Sequence, residues 1–259
     1  MFSIIIPNYN NSQFLDKMFH SIYTQTFQDY EIIFVDDLST DNSVKIALEW
    51  KAKYFYDKMK VITMHTKAWN GGARNIGLKE RSIDIPYTLF LDSDDTFDGN
   101  DCLQTISDII QNNNYPDCVR LSYNWCGDEI RHVDLSNQNT LELLAPACDV
   151  ACWTKCIKSD LIVDFPMNTL MEDAIQHLQQ MDKIDTIIGC KKAIVNWNRQ
   201  NPNSCSTNGT LQNGKWLSSF YRYFADLLDL QLEKQCVKDA QQFRIEDMKK
   251  SIKINIKDW

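Results

Sequence analysis

No stretch of this 259-residue chain approaches the ~18 consecutive apolar positions that a membrane-spanning helix requires. The N-terminal run Phe2–Ile6 is too short for a signal-peptide core, lacks a basic start and meets Pro7 at once, so no secretory leader is expected. The expected location is cytoplasmic, with a peripheral position at the inner membrane face as the alternative. An excess of positive charge is also missing. With 27 basic against 35 acidic residues the formal charge is −8, which argues against broad electrostatic binding of nucleic acid or anionic lipid. There is no CxxC pair, no internal repeat and no low-complexity segment. Nine cysteines, an odd number in a chain large enough to fold without staples, are expected to be reduced thiols. Cys148, Cys152 and Cys156 recur every four residues and are expected to share a buried helical face rather than hold a metal. Apolar residues make up 44%, ample for a core, so disorder is excluded.

What is present is an alternation. Phe2–Ile6, Glu31–Val35, Lys60–Met64 and Tyr87–Leu91 are short, nearly continuous apolar runs that suit parallel strands covered on both faces. Between them Ser12–Tyr23, Asp41–Tyr54 and Gly72–Glu80 have helical periodicity. The order β-α-β-α-β-α-β predicts a doubly wound α/β sheet with right-handed crossovers, in which ligands bind at the carboxyl ends of the strands. Past residue 98 the texture changes. A helix at Asp101–Gln111, a strand around Asp117–Tyr123 and a hairpin through Gly127 to Val133 come first. Helices near Leu161 and at Glu172–Met181 precede a strand pair around Thr186–Trp197. Arg199–Gly214 is loop-like, and helices at Gly214–Leu232 and Glu233–Lys250 follow. The tail Ser251–Trp259 alternates apolar and polar residues and is predicted to be an edge strand.

Three acidic clusters stand where this order places a binding cleft: Asp36-Asp37 after the second strand, Asp92-Ser93-Asp94-Asp95 after the fourth, and Glu172-Asp173 opening a later helix. A strand-end carboxylate can accept from a base or a ribose hydroxyl. Asp-x-Asp in an extended segment sends both side chains to one side. A hard cation, Mn²⁺ or Mg²⁺, would take one or two of these carboxylates together with diphosphate oxygens. Each cluster alone also has a plain structural role, as a turn, a helix cap or a complement to the helix dipole.

With these residues on the page the chain resembles the family 2 glycosyltransferases of GT-A fold. The resemblance is carried by Ser3-Ile4-Ile5-Ile6-Pro7-Asn8-Tyr9-Asn10, Ser21–Thr26, Val35–Ser43, Asn70-Gly71-Gly72-Ala73-Arg74-Asn75-Ile76-Gly77 and Leu91–Asp95. It is dense over residues 1–98 and sparser from 99 to about 205, where it rests on Cys152–Lys155, Glu172-Asp173 and Asn198-Arg199 through Ser204. It implies a Rossmann-like, mostly parallel central sheet with helices on both faces. The last 50 residues match nothing in the family, and their predicted helices are expected to form a C-terminal helical extension. The implied division is a donor-binding half (1–98), an acceptor-binding and catalytic half (99–210) and the extension with its tail (211–259). The implied activity is metal-dependent, inverting transfer of a sugar from a nucleotide-diphosphate donor, a UDP-sugar, to an acceptor hydroxyl.

The resemblance also assigns roles. Pro7 and Tyr9 flank the base, Asp37 accepts from it with Asp36 in support, and Arg74 contacts the nucleotide or diphosphate. Asp92 binds the ribose side, Asp94 the metal (with Asp95 beside it), and Asp173 is the general base with Glu172 next to it. Arg199 and Ser204 lie in a loop over the donor phosphates. Apart from the resemblance, Trp153 and Lys155 are expected to frame the acceptor, Trp153 by stacking on a sugar or base face, with packing in the core as the alternative for Trp153. The acceptor is expected to be a glycan, a lipid-linked glycan or a small glycoside, with a nucleic acid a weaker alternative. The family's Asp-Gly-Ser turn is altered, since Leu38 stands in the place of the glycine. No Gln-x-x-Arg-Trp element is present, which argues against membrane-bound processive synthesis. A sugar nucleotidyltransferase would want a Gly-rich loop where Pro7-Asn8-Tyr9-Asn10 stands. A catalytically silent sugar-nucleotide-binding module would not need all four of Asp37, Asp92, Asp94 and Asp173. His177, four residues beyond Asp173, is expected to be a helix-surface histidine.

Overall fold

A computed structural model describes residues 1–145, 149–167, 171–202, 204, 223 and 225–257, with side chains as far as residue 249. The first half follows the predicted alternation: β1 (Phe2–Asn8), α1 (Ser12–Tyr23), β2 (Tyr30–Asp36), α2 (Ser43–Tyr54), β3 (Met59–Thr63), α3 (Trp69–Glu80) and β4 (Tyr87–Phe90). Every residue of β1, β2 and β4 is buried, as near-continuous apolar runs require when helices cover both faces of a sheet. These four strands are parallel, in the order β3-β2-β1-β4.

The second half adds β5 (Thr96–Phe97), α4 (Cys102–Asn112), β6 (Cys118–Cys126), β7 (Ile130–Val133), α5 (Leu141–Leu144), β8 (Lys155–Lys158), α6 (Glu172–Lys183), β9 (Ile187–Asn198) and α7 (Gln235–Lys257). The sheet continues without a break through β4-β8-β6-β9-β5, with β7 beside β6. β8 runs antiparallel to both of its neighbours, and β6 and β9 are parallel. The result is a mixed but mostly parallel sheet with helices on both sides, and one core extends from β1 through β4 to β6 and β9. A second cluster joins Leu144, Ile175, Leu178, Met181 and Ile187 to Val237, Ala240, Ile245 and Met248, which seats α7 on α6. No helix among the described residues is long and apolar enough to cross a membrane.

Several expectations are corrected. Thr186–Trp197 is one long strand, not a pair, and its register against β6 slips near Ser122. The region of Leu161 is a short 3₁₀ turn. Cys152 opens another such turn and Cys156 lies in β8, so they share no helical face, although both are buried. Cys148 lies outside the described residues. The tail is helical as far as Lys257, because α7 simply continues through the alternating stretch. Most of the helix expected at Gly214–Leu232 lies outside the described residues, and residues 225–229 of it are helical. His177 is fully buried. Its Nε2 lies 3.0 Å from Leu144 O and 3.2 Å from Ala145 O, and it donates there in the neutral form.

Candidate active site

The carboxyl ends of β1, β2 and β4 and the start of α6 meet at a cleft of about 430 Å³. Pro7, Tyr9, Asp37, Arg74, Asp92, Asp94, Trp153, Glu172 and Asp173 line it, together with Lys67, Asp149, Asn201 and Ser204.

Asp37 follows β2. Its Oδ1 accepts from Ala68 N at 2.8 Å and its Oδ2 from Trp69 N at 2.9 Å. The carboxylate therefore serves the orphan N–H groups at the start of α3, where the helix dipole also favours a negative charge. Oδ1 keeps a second lone pair, so capacity to accept from a ligand remains there. Lys67 sits 3.3 Å from Asp37 Oδ2 and 2.7 Å from the centroid of the Tyr9 ring, beside the surface expected to receive a base. Asp36 does not line the cleft. It lies beneath, accepting from Asn8 Nδ2 at 2.8 Å and from Ser39 N at 2.9 Å, and these bonds brace the turn in which Leu38 takes φ +63°.

Arg74 is 1% exposed, yet it reaches across the molecule. Its Nη2 donates to Asp92 Oδ1 at 2.9 Å, and its Nη1 donates to Glu172 Oε1 at 2.9 Å and to Asp173 Oδ1 at 3.0 Å. Phe165 packs against its guanidinium plane. The next residue repeats the crossing, with Asn75 Nδ2 donating to Phe165 O and Asn75 Oδ1 accepting from Phe165 N. Gly71 permits the approach, since a Cβ there would lie 2.7 Å from Pro166 O. Helix α3 thus joins the segment after β4 to Phe165, Pro166, Glu172 and Asp173. The fork expected to meet the nucleotide is occupied by three carboxylates.

Burial, and then Asp173, push the Glu172 carboxyl up, against the pull of Arg74. Of this adjacent pair Asp173 is the more open, its side chain 24% exposed against 10% for Glu172.

After β4, Asp94 lies in the cleft with its carboxyl pushed up to about 6 by burial and by Asp92. Asn201 donates to its Oδ2 at 2.6 Å. Asp95 faces the other way. Its Oδ1 accepts from Asn198 N at 2.8 Å, its buried Oδ2 has no partner among the described residues, and burial, Asp94 and Asp92 all raise its carboxyl. The only ion pair of this trio among the described residues is Asp92 with Arg74. Three acids with one compensating cation suit an added divalent ion. No group of three or more metal-ligating side chains is assembled among the described residues, so the protein would offer one or two ligands and a ligand's diphosphate the rest.

Trp153 lines the cleft at 4% exposure, packed edge-on to Tyr123 with centroids 4.9 Å apart and tilted against Trp197 at 5.6 Å. Lys155 does not reach the cleft, which corrects its expected place at the acceptor. It is fully buried, donates to Val150 O at 3.0 Å and Ala151 O at 2.9 Å, and burial lowers its ammonium to about 8. It and Arg120, which donates to Asp149 O at 2.8 Å, hold the backbone from which Asp149, Ala151 and Trp153 face the cleft. Arg199 is not among the lining residues and packs over the Trp197 ring, 4.5 Å from its centroid. Lys67, Asp149 and Asn201 were not singled out by sequence. Lys67 lies two residues before α3, beside the backbone N–H groups that Asp37 accepts from, a contact across 30 positions that the sequence does not mark.

Residues 3–157 match the family model described as glycosyl transferase family 2. The chain belongs to that family. Over 97 residues this family 2 chain is 33% identical to the poly(ribitol-phosphate) beta-N-acetylglucosaminyltransferase TarS of Staphylococcus aureus, which covers 36% of this chain and 16% of TarS. It is 31% identical over 141 residues to the minor teichoic acid biosynthesis protein GgaA of Bacillus subtilis, covering 53% and 31% of the two chains. It therefore spans less than a third of either relative. The solved S. aureus TarS 1–349 in complex with UDP-GlcNAc resembles it with a TM-score of 0.74 at 19% identity, over 93% of this chain and 70% of that one. The mannosyltransferase PcManGT from Pyrobaculum calidifontis, in complex with GDP-Man and Mn²⁺, does so with a TM-score of 0.69 at 14% identity, over 94% and 68%. At such identities the likeness is one of fold, and that fold is GT-A.

Proposed function

We propose that this chain transfers a sugar, with inversion, from a UDP-sugar to an acceptor hydroxyl, with Asp173 as general base. The observation that carries this reading is the Arg74 fork, which draws Asp92 and Asp173 from two separate elements into one cleft alongside Asp37 and Asp94. Inversion needs a base on the face of the sugar opposite the leaving group, and a carboxylate supplied by a helix separate from the donor strands meets that need. Asp173 suits the role better than Glu172 because it is the more open of the two, and the bond from Arg74 orients it. Tyr9, Pro7 and Asp37 are suited to a base, and Asp92 to the ribose. Asp94 would hold Mn²⁺ or Mg²⁺, which when bound neutralises the diphosphate and stabilises the charge it gains on leaving.

The UDP-GlcNAc complex of TarS supports a uridine donor, and the names of TarS and GgaA direct the acceptor screen first to poly(ribitol-phosphate) and related anionic glycans. The test is UDP release across a panel of UDP-sugars and acceptors with Mn²⁺, comparing wild type with Asp173→Asn. The expected outcome is a rate loss of about 10²–10⁴ with donor binding kept, since only the proton acceptor is removed. Equal turnover by the variant, or donor binding by wild type with no turnover on any acceptor, would overturn the reading.

A further inference from the structure

Asn201 is 1% exposed and lies just beyond β9, in the stretch expected to form a loop over the donor phosphates. Its Nδ2 donates to Asp94 Oδ2 at 2.6 Å and to Asn11 Oδ1 at 3.2 Å, and Asn11 Nδ2 donates in turn to Ser93 Oγ at 2.9 Å. The chain of bonds leaves the loop after β4 at Asp94 and returns to it at Ser93. On the way it passes through the segment after β9 and the residue that precedes α1. A ring closed on two neighbouring residues fixes the rotation of the acid it holds.

We propose that Asn201 is a positioning residue for Asp94, holding one carboxylate oxygen so that the other is presented to a divalent cation shared with the donor diphosphate. The proposal rests on the metal-dependent reading given above. The two cleft acids of this loop are held by different chemistry. Asp92 is gripped by the Arg74 guanidinium, which offsets part of its charge as well as orienting it. Asp94 is held by a neutral amide, which orients without cancelling, so its charge stays available to a cation. A partner that fixes a metal-ligating carboxylate from behind contributes to affinity although it never touches the metal. Because the same amide also binds Asn11, the geometry of the acid depends on the docking of residues 199–201 against the start of α1.

The test uses the full chain, wild type and the variants Asn201→Leu, Asn201→Ala and Asn11→Ala. Free Mn²⁺ is followed by electron paramagnetic resonance during titration in the presence of UDP. Uridine alone, which has no phosphate, reports on the base site through tryptophan fluorescence. Removing the Asn201 amide is expected to weaken Mn²⁺ binding 10–100-fold. Uridine affinity should stay within twofold, and KM for Mn²⁺ should rise far more than kcat falls. Asn11→Ala, which keeps the bond to Asp94, should weaken Mn²⁺ binding less than either Asn201 variant. If Asn201→Leu does not fold, Asn201→Ala, which introduces no bulk, carries the measurement. Variants that bind Mn²⁺ as wild type does would overturn the proposal while leaving the metal reading intact. Equal losses of Mn²⁺ and uridine affinity would overturn it as well, showing a merely structural role. If wild type itself shows no Mn²⁺ binding with UDP, the metal reading fails and this proposal with it.

Discussion

Replacing Arg74 with Met removes a charge buried to 1% exposure while keeping most of the side-chain volume. Three bonds go with it, to Asp92 at 2.9 Å, Glu172 at 2.9 Å and Asp173 at 3.0 Å. Breaking a buried ion pair from one side costs about 3–5 kcal/mol, because the partner's charge is left without compensation. Here three partners are left, but two of them, Asp92 and Asp173, are about a quarter exposed and regain part of their solvation. Glu172, already pushed towards its neutral form by burial, can take a proton. The expected loss is therefore at the low end, about 3 kcal/mol near pH 7.5. Arg74→Lys keeps the charge but not the planar fork, and a single ammonium cannot reach all three acids with good geometry. It should lose about half as much. The assay is urea denaturation followed by tryptophan fluorescence and circular dichroism, run as a double-mutant cycle with Glu172→Gln. Arg74 and Glu172 should couple by more than about 1.5 kcal/mol, because once the buried acid is neutral the loss of the guanidinium matters less. A stability for Arg74→Met within about 1 kcal/mol of wild type, or no coupling to Glu172, would refute the reasoning.

The imidazole of His177 is held well below its usual value by burial and by Lys155, Arg244 and Arg120, so the unfolded chain binds a proton there below about pH 6.5 and the native state does not. Stability should thus fall with acid by up to about 2 kcal/mol between pH 6.5 and 5, and His177→Gln should remove that part of the slope in urea midpoints. Leu38 holds φ +63° and is 37% exposed, so Leu38→Gly should gain about 0.5 kcal/mol, strain relief slightly outweighing the greater freedom of the unfolded chain. A loss on this change would refute the strain. A Cβ at Gly77 would lie 2.4 Å from Ile5 Cγ2, so Gly77→Ala should cost about 1–3 kcal/mol by forcing α3 away from β1, read as a lower thermal midpoint.

The donor-side half was legible because its strands are buried on both faces and so read as unbroken apolar runs. β8 was missed for the opposite reason. It is four residues long and carries two lysines, one of them buried among backbone carbonyls. The tail was misread because its period of two is a local signal, overridden by a helix that had already begun at Gln235. In the cleft the three acidic clusters could be found by their position after strands and before a helix. Which member faces inward was less legible. Residues 92–95 are not the extended segment expected but a turn closed by Asp95 N–H on Asp92 O at 3.0 Å, with Asp92 and Asp94 in the cleft and Asp95 beneath, while Glu172 and Asp173 both line it. Asn201 had no such signal, since its role arises from a contact 107 positions away in the chain.

The crossing of helix α3 to Phe165, Glu172 and Asp173 bears on how this chain could be recombined with its relatives. An exchange made after β4, at the border between its parallel and mixed strands, would separate Arg74 and Asn75 from Phe165, Glu172 and Asp173. A chimaera built there would need to import the 165–173 segment as a matched graft, or it would assemble a well-formed sheet around mismatched acids. The unit of inheritance at this cleft is therefore a set of contacts across the border, and a change of acceptor preference should be sought in residues outside that set.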